Sequence, residues 1–123
     1  MKKLITTMLQ TNEQIIKHEE IEAKIGENKI FFQEDEINVA ISLENDIITV
    51  NRETNEHVTS FEFKKDEETV MVIRLKSSDY SITGEVITKE LYYNEKEIVI
   101  NYELTMGSEQ MGNFSYKIDI MGE

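Results

Sequence analysis

Apolar and polar residues take turns along most of the chain. In Ile37-Asn38-Val39-Ala40-Ile41-Ser42-Leu43 the apolar side chains recur at every second position. Successive side chains of a strand point to opposite faces, so a period of two predicts strands with one face buried. Two stripes are especially clean. Ile98, Ile100, Tyr102 and Leu104 share one parity, with Asn101 between them, and Phe114, Tyr116, Ile118 and Ile120 alternate with Ser115, Lys117 and Asp119. The pattern places Ile100, Tyr102, Phe114 and Ile118 in the core.

Polar clusters such as Gly26-Glu27-Asn28, Gln33-Glu34-Asp35-Glu36, Glu44-Asn45-Asp46, Lys65-Asp66-Glu67 and Gly107-Ser108-Glu109-Gln110 recur about every ten residues, the cadence of a β meander. They delimit strands near 3–10, 14–25, 29–33, 37–43, 47–52, 57–64, 69–76, 80–93, 97–105 and 113–121. The first two segments are ambiguous, because Ile5, Met8, Leu9 and Ile16 also fit a helical stripe. Gly84, inside the run from Tyr80 to Tyr93, predicts a bulge or a bend at a barrel corner. Open antiparallel edges invite aggregation, so this many consecutive strands must close on themselves or stack as two sheets, and a closed or nearly closed barrel is the expected choice. The expected architecture is all-β: an antiparallel up-and-down, calycin- or lipocalin-like β-barrel of roughly eight to ten strands with little helix, in a single domain spanning 1–123. Such a lumen is either filled by side chains or holds one small ligand.

Composition removes several function classes. The 25 acidic against 13 basic side chains leave a net charge of −12, which repels phosphate backbones and anionic membrane surfaces, so nucleic acid and membrane are not expected partners. The chain has no cysteine, hence no disulfide or thiolate metal site, and a cytoplasmic location is expected. Its first ten residues, from Met1 to Gln10, lack the long apolar stretch and small-residue cleavage site of a signal peptide, and no apolar run approaches the ~20 residues of a membrane span.

Candidate chemistry is sparse. His18 and His57 have no second ligand at metal-binding spacing. Glu34-Asp35-Glu36 and Asp66-Glu67-Glu68 lack the mid-loop glycine of a calcium loop and read as hairpin tips. An inward carboxylate is expected only at Glu90 or Glu103, and only in a different register. No nucleophile-elbow, phosphate-loop or dinucleotide motif occurs, so neither catalytic residues, cofactor nor metal is expected and the chain does not read as an enzyme. Arg52 and Arg74 stand out as the two arginines beside eleven lysines, since a planar guanidinium suits a partly buried carboxylate or an anionic head group. With Tyr80, Tyr102 and Tyr116 they form the candidate ligand or barrel-mouth set. All five tyrosines, Tyr92 and Tyr93 included, could line a cavity with hydroxyls but read first as core and rim packing.

The order of segments resembles the YwiB-like proteins, an uncharacterised bacterial family built on the domain of unknown function 1934. The resemblance rests on Ile47-Ile48-Thr49-Val50-Asn51-Arg52 followed by Val58-Thr59-Ser60-Phe61-Glu62-Phe63, and on Ile98 to Leu104, the turn from Gly107 to Gly112, and Phe114 to Ile120. The chain departs from the family pattern at Thr54, where a glycine is usual, and at Val72 to Ser78, which lacks a Tyr-Thr-Gly sequence. The resemblance implies a calycin-like barrel and a hairpin around Thr11-Asn12-Glu13, and brings no activity with it. Two functions remain open. One is a non-catalytic barrel that binds a small apolar or amphipathic molecule in its lumen. The other is a filled barrel acting as a protein-interaction or self-association module, with a homodimer compatible with it. An apolar cavity of about 300 Å³ or more would favour the first.

Overall fold

A computed structural model describes the backbone of residues 2–11 and 14–121 and the side chains of 3–11 and 20–121. Its elements are ten strands: β1 (Lys2–Thr11), β2 (Gln14–Gly26), β3 (Lys29–Glu34), β4 (Ile37–Glu44), β5 (Ile47–Glu53), β6 (His57–Lys64), β7 (Glu68–Leu75), β8 (Ser81–Tyr93), β9 (Glu97–Met106) and β10 (Glu109–Met121). Each pairs antiparallel with its neighbours in sequence, and β1 pairs with β10 from Leu4↔Met121 to Thr11↔Phe114, so the meander closes into a barrel. No helix occurs among the described residues. The ambiguous first segments pair as a hairpin, with Lys3 opposite Ala23 and Ile5 opposite Ile21, and the expected turn residues Asn12 and Glu13 lie outside the described set. Buried Ile5 and Thr7 flank the half-buried Thr6, and Leu4 is exposed, a period of two that the helical reading of Ile5, Met8 and Leu9 would have broken. A strand is selected here because only a strand satisfies the edge that β10 offers.

The turns owe little to glycine. Asn28, Asp35, Asn45, Asp46 and Asp66 all have φ between 52° and 64°, and Asn and Asp are the non-glycine residues that best tolerate this left-handed region. In Asn45-Asp46 both central residues have positive φ, as the two-residue turn that matches strand twist requires.

Two details differ from the expectation: no bulge falls at Gly84, and the last strand starts earlier. The register of β7 against β8 runs through Met71↔Gly84 without a break, and the irregularity in β8 falls between Thr88 and Glu90 instead. Gly84 serves close packing: a Cβ there would lie 3.1 Å from both the Thr105 carbonyl oxygen and Met71 Cε. The last strand begins earlier than expected, at Glu109, with an irregularity between Gln110 and Gly112.

Seven isoleucines (5, 30, 41, 48, 98, 100 and 118) are fully buried in the lumen. The strand registers put them toward the end of the barrel that carries the β2–β3, β4–β5, β6–β7 and β8–β9 turns. Of the four core residues expected from the alternation, Ile100, Tyr102 and Ile118 are buried, whereas Phe114 is only partly so, packed against the core beside the barrel rim.

Candidate functional site

The opposite half of the lumen is not filled. It contains a cavity of about 270 Å³. One wall is aromatic: the Phe61 and Phe63 rings of β6 stack with centroids 5.5 Å apart, and Tyr102 of β9 tilts against Phe63 at 4.9 Å. Tyr102 also stacks on Phe114 of β10 at 5.4 Å, which explains why Phe114 is held at the rim without being engulfed. Val50 and Leu9 complete the apolar lining.

The other wall carries charge. In β3 the inward parity of Ile30 and Phe32 continues to Glu34, which is 2% exposed. Arg52 follows Ile48 and Val50 on the inward face of β5 and keeps 28% of its side chain exposed. Its Nη2 donates to Glu34 Oε1 at 3.0 Å, and Thr7 Oγ1 of β1 donates to Glu34 Oε2 at 3.3 Å. Both carboxylate oxygens therefore hold a donor, as a buried charge requires. Tyr116 of β10 lines the same cavity, and its buried hydroxyl has no hydrogen-bond partner among the described residues.

The phenols respond to this setting. Burial pushes Tyr102 up to about 12, with the Arg52 charge opposing. Burial also raises Tyr116, the Glu34 charge adds to the rise and Arg52 opposes it, so at neutral pH both hydroxyls are protonated donors.

The cavity thus brings together Arg52, Tyr102 and Tyr116 of the residues singled out by sequence. Arg74 lies exposed on the outer face, at a groove shared with Asn51, Glu53 and Ser60, and Tyr80 is exposed in the β7–β8 turn. Tyr92 and Tyr93 are exposed on β8. Glu34 was missed because its neighbours Gln33, Asp35 and Glu36 make it read as a turn; the parity of Ile30-Phe32-Glu34 was the available signal. Glu90 and Glu103 face outward, Glu90 accepting from Asn101 Nδ2 at 2.9 Å and Glu103 pairing with Lys89 at 3.2 Å. His57 is half-buried beside Thr54, whose Oγ1 accepts the N–H groups of Glu56 and His57 at 3.2 and 3.1 Å and so holds the β5–β6 turn. The side chain of His18 lies outside the described residues. No group of three or more His, Cys, Asp or Glu suited to a metal ion occurs among the described residues.

No protein-family model matches the chain, and no curated protein matches it. A solved structure does: the crystal structure of the ywiB protein from Bacillus subtilis superposes with a TM-score of 0.57 at 10% identity, covering 98% of this chain and 91% of that one. At that identity the likeness shows the fold. Among the described residues no helix is long and apolar enough to cross a membrane.

Proposed function

We propose that this chain is a YwiB-like, calycin-like barrel of the family with domain of unknown function 1934, acting in the cytoplasm as a non-catalytic binder of a small apolar or amphipathic molecule. The carrying observation is the cavity of about 270 Å³, aromatic on one side and fitted with a few convergent polar groups on the other. Small-molecule sites have this composition. Its volume falls just below the roughly 300 Å³ at which drug-sized pockets begin, so the ligand belongs at the small end of the range. Arg52 supports this reading only as part of the wall, because its nearest carboxylate belongs to the protein. Nothing comparable recommends an interaction module: the exposed apolar side chains Val70 of β7 and Ile87 of β8 each stand opposite a charged residue of the neighbouring strand, Glu85 and Glu68.

Titrating the isotope-labelled protein with naphthalene tests the reading. Amide and methyl shifts should move around Val50, Phe61, Phe63 and Tyr102, and saturating probe should raise the unfolding midpoint, as any ligand of the native state does. Shifts confined to the outer face, or none at all, overturn it.

A further inference from the structure

From the charge balance and the unused donors of the cavity wall, we infer that the lumen selects an uncharged, ring-sized molecule whose one polar group is a hydrogen-bond acceptor, such as a ketone or amide carbonyl, received by Tyr116 and Arg52. The inference rests on the lumenal reading above and narrows it. Size comes first. A dry cavity of about 150 Å³ accommodates benzene. Scaling to the 270 Å³ available here gives about ten non-hydrogen atoms, a substituted ring and not a long acyl chain.

Polarity follows from counting donors and acceptors. Glu34 is the strongest acceptor in the wall, and its oxygens already receive Arg52 and Thr7. Of the groups left over, the Arg52 guanidinium can only donate, and the hydroxyls of Tyr116, Tyr102 and Thr59 can donate or accept. Tyr116 lines the cavity, and its buried hydroxyl has no partner among the described residues. The Arg52 guanidinium carries five N–H groups, of which one is spent on Glu34. A ligand donor has only hydroxyl oxygens to bind, whereas an acceptor can take a hydroxyl and the guanidinium together, which favours the acceptor.

Charge decides the rest. Arg52 is neutralised by Glu34 at 3.0 Å, so an entering carboxylate gains the guanidinium only against the repulsion of a carboxylate beside it. The overall charge of −12 further opposes the encounter with anions. A cation would leave the surplus donors unpaired.

Three probes of nearly equal shape separate the possibilities: acetophenone, ethylbenzene and benzoate, each titrated calorimetrically and by protein-observed NMR. Acetophenone should bind about five-fold or more tightly than ethylbenzene, the range one net hydrogen bond allows, and benzoate should bind most weakly. Tyr116→Phe should bring acetophenone close to ethylbenzene while leaving ethylbenzene unchanged, a readout that a loss of fold would not mimic. Equal binding of acetophenone and ethylbenzene in the wild type, or a preference for benzoate, overturns the acceptor assignment and leaves the lumenal site standing. Failure of all three probes to reach the lumen overturns both.

Discussion

Replacing Arg52 by alanine breaks the ion pair of the cavity wall. Its guanidinium lies 3.0 Å from a carboxylate that is 2% exposed, while the arginine itself is 28% exposed. Breaking a fully buried pair by removing one partner costs about 3–5 kcal/mol, because the surviving charge stays buried, and an exposed pair is worth about 0–1 kcal/mol. The Arg52–Glu34 pair sits between these limits and nearer the first. Thr7 retains one hydrogen bond to Glu34 after the change, which moderates the loss. The expected destabilisation is about 2–3 kcal/mol. With a urea m-value of about 1–3 kcal/mol/M for a small domain, the midpoint should fall by roughly 1–2 M with m unchanged. The companion variant removes both charges. Arg52→Met with Glu34→Leu should recover most of the loss, since paired apolar replacements of a buried ion pair are often neutral. An Arg52→Ala loss below about 1 kcal/mol, or a double variant no better than the single one, would refute the claim that loss of the Arg52–Glu34 ion pair is the cost.

Three further outcomes follow from the same geometry. Tyr116→Phe should leave apo stability unchanged or raise it by about 1 kcal/mol, because it deletes a buried hydroxyl without a partner among the described residues; a loss above 1 kcal/mol in urea would reveal a hidden acceptor. Gly84→Ala should cost about 1–3 kcal/mol, as its Cβ would stand 3.1 Å from the Thr105 carbonyl oxygen, which cannot rotate aside; a neutral effect in thermal melts would contradict that packing. Tyr102 has its folded-state value raised from 10.0 to about 12, so its contribution is fully present below pH 10 and is lost as pH rises toward 12. Alkaline unfolding curves of Tyr102→Phe should therefore be flatter than the wild type across that interval, and parallel curves would count against it.

The strands from β3 onward were legible because each has its own two-residue period and its own polar boundary, whereas β1 and β2 also fit a helical stripe and only the family resemblance made them a hairpin. Closure was legible too, since a long meander has few other ways to remove its edges. The site was legible only in fragments. Arg52 and Arg74 look alike in sequence, yet one is inward on β5 and the other outward on β7, and their strand boundaries do not reveal this difference. Glu34 was concealed by the turn that follows it, although its parity with Phe32 pointed inward. Phe114 follows the core parity and is still only half-engulfed, because burial also depends on height along the barrel. Whether a lumen is filled depends on which side chains from distant strands share one level. That is fixed by stagger around the closed sheet, a quantity that no single segment encodes.

On the proposed reading, the two halves of the lumen divide stability from recognition. Branched isoleucines dominate one end, and burying each of these side chains contributes on the order of 2–3 kcal/mol. That end can support an incompletely packed one, where an ion pair and two buried phenols carry desolvation costs that a solid apolar core would avoid. The Arg52–Glu34 contact also spans from β5 to β3 across β4, over the buried Val39 that pairs with Arg52. It therefore clasps three strands near the rim, where the sheet has least packing behind it. If stability were the only constraint, apolar residues at 34 and 52 would close the cavity at lower cost. The charged pair makes physical sense as a means of keeping this end open, polar on one side and fixed in shape, which is what a selective small-ligand site needs.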